Sequence, residues 1–129
     1  MSKLGFISPF FIVSNLKESV SFYINKLGFE LWHNGPDNGP YFAMVGRDAV
    51  SIMLKEIAHT VKPIPNSSRH EWARWDAYIY TEDPDMLFEE LSSSGETLRQ
   101  PILDDGDGLR GFEVADADGY VLFFGRTKT

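Results

Sequence analysis

The chain has 129 residues, a length that points to one domain large enough for a real core. Hydrophobic residues are 43% and charged residues 24%, an ordinary globular composition that excludes a disordered tail, a collagen and a coiled-coil rod. Nineteen acidic against twelve basic residues give a net charge of -7, which repels phosphate backbones, attracts a cationic ligand and serves solubility.

In chain order, Leu4 to Val13 is apolar and β-rich and reads as a first strand ending at Ser14-Asn15, either of which suits a helix N-cap. Leu16, Val20, Tyr23, Ile24 and Leu27 then fall on one helical face, and Gly28 is the expected stop. Phe29 to His33 reads as a strand, and Gly35 to Pro40 as a loop. Tyr41 to Val45 and Ala49 to Leu54 are further strands joined by Gly46-Arg47-Asp48. Residues 57–72 lack a clean period and read as a connector. Trp75 to Thr81 is a strand, and Asp83-Pro84 opens a second helix with Leu87, Phe88 and Leu91 on its apolar side and Gly95 as its stop. Thr97 and Leu98 begin a short strand, and Ile102 to Gly108 reads as an acidic loop. Gly111 to Ala115 and Tyr120 to Phe124 form a last hairpin, with Asp118-Gly119 at its turn.

The two halves read alike at an offset of about 70 positions: strand, helix, then three strands. Asn15 matches Asp83, Gly28 matches Gly95, and Asp48-Ala49 matches Asp118-Gly119. The expected fold class is α+β. Two βαβββ modules, about 1–56 and 73–129, form a curved mixed sheet around a concave cavity, with the helices outside. No cysteine is present, so disulfides, thiolate chemistry and Cys-ligated metals are excluded. No apolar run approaches the roughly 20 residues that span a bilayer, and no export signal is evident, so the expected location is the cytoplasm with no membrane partner.

The opening segment carries Asn15-Leu16, Ser19, Phe22-Tyr23 and Leu27-Gly28-Phe29, and the closing segment carries Asp116, Asp118, Gly119 and Tyr120. In this pattern, over essentially the whole length, the chain resembles the vicinal oxygen chelate superfamily. That group includes glyoxalase I, extradiol dioxygenases, fosfomycin-resistance transferases, methylmalonyl-CoA epimerase and the bleomycin-resistance proteins. These motifs speak to fold and leave the activity open.

The resemblance implies four metal-ligand positions, one on each of four cavity strands, filled in catalytic members by His, Glu or Gln. Here they fall on Ser8, Met53, Asp76 and Phe123, with Trp75 in place of Asp76 if the register slips by one. Only Asp76 is a good ligand for a hard or borderline divalent ion. Ser8 is a neutral alcohol, Met53 suits soft ions such as Cu(I), and Phe123 cannot ligate. His33, His59 and His70 are not spaced as a pair on one helix face or strand. The expectation is a site with no metal and no cofactor. Asp76 reads either as an acid or base in an apolar cavity or as a hydrogen-bonded structural carboxylate.

Alternation predicts the lining. Ser8, Phe10 and Ile12 point one way, while Ile7, Pro9, Phe11 and Val13 face the helix. Asp76, Tyr78 and Tyr80 share the cavity side in the second half, with Met53 and Phe123 on opposing walls. These aromatics either line a pocket or simply fill a core. Trp72 and Trp75, among the charges of the connector, stand at the mouth or in an interface. The ligand-binding set is therefore Ser8, Phe10, Met53, Trp72, Trp75, Asp76, Tyr78 and Phe123, around a small aromatic or cationic molecule. The resemblance implies a homodimer of the bleomycin-resistance type, binding without catalysis. The alternatives are a divalent-metal-dependent lyase, isomerase or dioxygenase, and an accessory subunit with no small-molecule site.

Overall fold

The structure is a computed structural model and describes residues 1–93 and 98–128. It divides into two compact units, Met1–Pro63 and Ile64–Thr129. Unit 1 runs β1 (Phe10–Ile12), α1 (Leu16–Leu27), β2 (Glu30–Gly35), β3 (Phe42–Arg47) and β4 (Val50–Lys55). Unit 2 opens with a 3-10 turn (Asn66–Ser68) and runs β5 (Ala77–Tyr80), α2 (Pro84–Ser93), β6 (Leu98–Asp104), β7 (Leu109–Ala115) and β8 (Val121–Thr127). The fold is α+β. Each unit is a βαβββ module with a four-stranded mixed sheet, in the order β1-β4-β3-β2 or β5-β8-β7-β6, and its first strand runs parallel to its last.

Asn15 starts α1 as its sequence suggests, with its side-chain oxygen accepting from Glu18 N at 3.0 Å. Glu56 adds a second cap, accepting from Leu16 N at 2.7 Å and tying the helix start to the end of β4. Gly28 ends the helix in the left-handed region, φ 73°, and its N–H reaches Tyr23 O. The buried face is Leu16, Ser19, Tyr23 and Leu27. Ile24 is exposed, because it lies one step of about 100° around the helix from Tyr23. Beneath α1 the sheet presents Phe11, Val13, Ala43, Val45, Ile52 and Leu54, all buried.

The first strand is shorter than expected. Its ladder covers Phe10–Ile12 against Met53–Lys55 and closes where Met53 N donates to Pro9 O at 2.9 Å. Proline has no N–H to carry it further back, and Leu4, Phe6 and Ile7 stay exposed. The turn after β3 also moves, since Gly46 and Arg47 belong to the strand and Asp48 alone takes positive φ.

Unit 2 repeats the plan. Asp83 caps α2 through Met86 N at 3.1 Å, and Leu91 is buried while Leu87 and Phe88 are half-buried. The expected stop at Gly95 and the strand start at Thr97 lie outside the described residues. Strand β6 extends to Asp104, so the loop expected from Ile102 starts only at Asp105, and β5 is trimmed to Ala77–Tyr80. The last hairpin turns at Gly119, φ 90°, and Asp116 organises it. One Asp116 oxygen accepts from Asp118 N and Tyr120 N, both at 2.9 Å.

The Asn15→Ala variant should lose about 1 kcal/mol in urea unfolding, and Asn15→Gly only a few tenths. Glu56 bonds a different N–H and does not replace the lost cap.

Candidate functional site

The side of each sheet away from its helix is set by strand alternation. In unit 1, Ala43, Val45, Ile52 and Leu54 are spent under α1, which leaves Phe42, Met44 and Gly46 of β3 and Ser51, Met53 and Lys55 of β4 on the other side. Register lines up Phe10, Met53, Met44 and His33 as one row across four strands. Phe10 and Met53 thus meet as cross-strand partners, with Phe10 exposed. Ser8 lies before the ladder, and its hydroxyl donates to Pro9 O at 3.5 Å.

Trp32 belongs to this side too. The pairing of β2 with β3 slips between Leu31 and His33, and the indole lies over Gly46, where any Cβ would overlap it. On the helix side of the same sheet is a cleft of about 520 Å³ lined by Leu16, Val20, Leu31, Asn34, Pro40 and Glu56.

In unit 2, Phe112, Val114, Leu122 and Phe124 are spent under α2. On the far side Phe123 lies across two glycines. A Cβ at Gly111 or at Gly125 would come within 2.5 Å of its ring. Trp75 stacks on Phe123 at 4.3 Å and 25°, and Tyr78 at 5.6 Å and 17°. Phe123 is therefore covered above and below. Of the three rings only Tyr78 is exposed, at 45%, while Trp75 is half-buried between Phe123 and the Arg74 guanidinium.

A charged cluster locks this stack. The Arg74 guanidinium sits 4.9 Å from the Trp75 ring. Glu113, only 1% exposed, accepts from Trp75 Nε1 at 2.9 Å and from Arg74 at 3.0 Å, and pairs with Arg99 through its other oxygen. Arg74 also lies 3.6 Å from both Asp105 and Asp107. Sequence reasoning missed Glu113, Arg99, Met44 and Trp32 as site residues. The available signal was a carboxylate between Phe112 and Val114, a charge that a buried strand keeps only when it is paired.

Both Asp76 oxygens are occupied, Oδ1 by Asn66 N and Oδ2 by Val121 N, each at 2.8 Å. It clasps the segment before β5 to β8. Trp72 stands apart, 83% exposed, with its ring against His70.

The four implied metal positions can now be compared. Phe10 pairs with Met53 as Tyr78 pairs with Phe123, so Asp76 and not Trp75 stands where Ser8 stands in unit 1. Unit 1 offers an alcohol and a thioether, and unit 2 a phenyl ring and a carboxylate whose oxygens already hold two N–H groups. That donor set does not fit a divalent ion. Among the described residues no three His, Asp or Glu side chains are gathered to hold a metal. Nor is any described helix long and apolar enough to cross a membrane.

The family model for the Glyoxalase/Bleomycin resistance protein/Dioxygenase superfamily matches residues 4–124. The chain is similar to TioX from Micromonospora sp. ML1, with a TM-score of 0.70 and 20% identity over 95% of this chain and 99% of that one. It is similar to TnmS3, an antibiotic binding protein from Streptomyces sp. CB03234, with a TM-score of 0.72 and 18% identity over 98% and 99%. It is also similar to the bleomycin-binding protein of bleomycin-producing Streptomyces verticillus, solved with copper(II)-bleomycin, with a TM-score of 0.67 and 25% identity over 96% of each chain. No curated protein matches the chain.

Replacing Glu113 by Ala should cost about 3 kcal/mol in urea unfolding. That is the low end for a broken buried pair, because the partly exposed Arg74 and Arg99 can rehydrate. Glu113→Gln keeps an acceptor for Trp75 and should cost less.

Proposed function

Since the chain belongs to the Glyoxalase/Bleomycin resistance protein/Dioxygenase superfamily, we propose that it binds a flat aromatic, cation-bearing small molecule without a metal and holds it unchanged. The observation that carries this reading is the stack of Tyr78 and Trp75 on Phe123, held flat by glycines and fixed in angle by Glu113. A rigid aromatic surface loses little freedom when a flat ligand covers it, so contact energy is retained as affinity. The net charge of -7 draws a cation toward the protein, and Asp105 and Asp107 place carboxylates beside the same stack. The names of two structural relatives, an antibiotic binding protein and a bleomycin-binding protein, support small-molecule binding in general.

In this reading Asp76 holds Asn66 and β8 in place and leaves the ligand to the rings. The proposal includes a homodimer, since the exposed Leu4, Phe6 and Ile7 give a second copy apolar surface to cover. Sedimentation at micromolar concentration should then give twice the 14.6 kDa chain mass, and a chain that sediments as a monomer removes this part of the proposal.

Titration with 9-aminoacridine, and separately with copper(II)-bleomycin, tests the binding. At least one should quench tryptophan emission, and at 100 times its dissociation constant should stabilise the fold by about 2.7 kcal/mol. Tyr78→Ala should weaken that binding about 2- to 12-fold, the value of one aromatic contact. A flat response to both compounds, with a melting temperature raised by zinc, manganese or iron, would replace this reading with a metal-dependent enzyme.

A further inference from the structure

The helix side of β2 is the part of its sheet that α1 leaves open. Val45 and Ala43 of β3 are fully buried there. Leu31 and Asn34, their cross-strand partners on β2 and on the same side of the sheet, are exposed. After β2 the chain turns back at Gly39, φ 79°, and Tyr41 N donates to Gly35 O at 3.1 Å. That turn sets Pro40 against the opening. The result is the cleft of about 520 Å³, with Leu16, Val20, Leu31 and Pro40 as its apolar walls. Such a volume suits a small molecule.

A charged group stands at this cleft with half of its bonding capacity unused. Two contacts place Glu56. Its N–H donates to Tyr41 O at 2.9 Å, and its Oε1 accepts from Leu16 N at 2.7 Å. Its Oε2 has no hydrogen-bond or ion-pair partner among the described residues. Glu56 is half-buried, and Oε2 stays accessible to a molecule in the cleft that the residue lines. An ionised carboxylate only accepts, and a charged donor gives it the stronger bond. Lys17, also at the cleft, is exposed, so water and salt screen its charge more than that of Glu56.

We propose that this cleft binds a primary ammonium carried on a compact hydrocarbon body. The ammonium donates to Glu56 Oε2, and the hydrocarbon lies against Leu16, Val20, Leu31 and Pro40. Nothing has to move for this. The contact of Oε1 with the helix start already holds the carboxylate in place, so little order is lost when the ligand arrives. The site uses none of the residues of the Tyr78, Trp75 and Phe123 stack, and it stands or falls apart from the reading built on that stack.

The test is methyl NMR on the full-length protein, with Leu16, Val20 and Leu31 assigned by single conservative variants. It is titrated with cyclohexylmethylamine and, separately, with cyclohexanecarboxylate, which has the same ring and the opposite charge. The amine should shift the three residues' signals together and saturate with a dissociation constant of about 1 mM, as befits a ligand of few atoms. The carboxylate should bind at least about 10-fold more weakly. Glu56→Gln keeps an oxygen for Leu16 N, and so keeps the helix start. It should weaken amine binding about 10-fold, the low end for a hydrogen bond to a charged group. Leu31→Ser should weaken it about 3- to 10-fold, half the value of burying a leucine. Leu31 is already 42% exposed, so this variant decides the matter if Glu56→Gln does not fold. Signals that stay fixed at about 10 mM amine overturn the inference. Amine affinity unchanged in folded Glu56→Gln, or unchanged in Leu31→Ser, also overturns it. So does a carboxylate that binds as tightly as the amine, which would assign the cleft to Lys17 and the helix start instead.

Discussion

The ring of Phe123 lies flat on its sheet because Gly111 and Gly125 face each other beneath it. The unusual features of unit 2 follow from that one seat. With Phe123 down on the backbone, Trp75 can stack above it, and the indole N–H is carried to Glu113. Glu113 can be buried because that N–H and two guanidinium groups meet it there. Either glycine replaced by a residue with a Cβ would raise the ring and misplace the stack it carries.

The same device recurs in unit 1 with different parts. There one glycine, Gly46, receives an indole from the neighbouring strand rather than a phenyl from its own sheet centre. Both units spend their larger aliphatic side chains under the helix and keep bare backbone on the other side for a ring to lie on. The weak internal repeat seen in the residues is therefore a repeat of element order more than of surface chemistry.

Much of the fold was legible because it follows from local rules. Asn15, Gly28, Asp83 and the turn at Gly119 are each a backbone requirement met by a residue type. Alternation also assigned Phe11 and Val13 to the helix side, against Phe10. Legibility ended where a non-local partner decides. The exposed Leu4, Phe6 and Ile7 look like strand in sequence, and only the register with β4 shows that the ladder closes at Pro9. Two readings of Asp76 stayed open until its partners, Asn66 and Val121, were in view. Glu113 depends on Arg99, 14 positions away, and on Arg74 and Trp75, which lie 39 and 38 positions away, farther than a local window spans. Gly46 read as part of a turn, and its role became visible only with Trp32 on top of it.

The parallel pairing of first and last strands also has a consequence for how the chain reaches this state. Phe10 waits for Met53, and Tyr78 for Phe123, so neither sheet can close until its final strand has been made. Strands β4 and β8 occupy inner positions, between the first strand and the antiparallel remainder. A nascent unit on the ribosome therefore holds a hairpin and a helix with an orphaned leading strand, and its last strand completes the core in one late step with a long loop to close. Damage late in either unit should act less like trimming an edge than like drawing out the middle slat of the sheet.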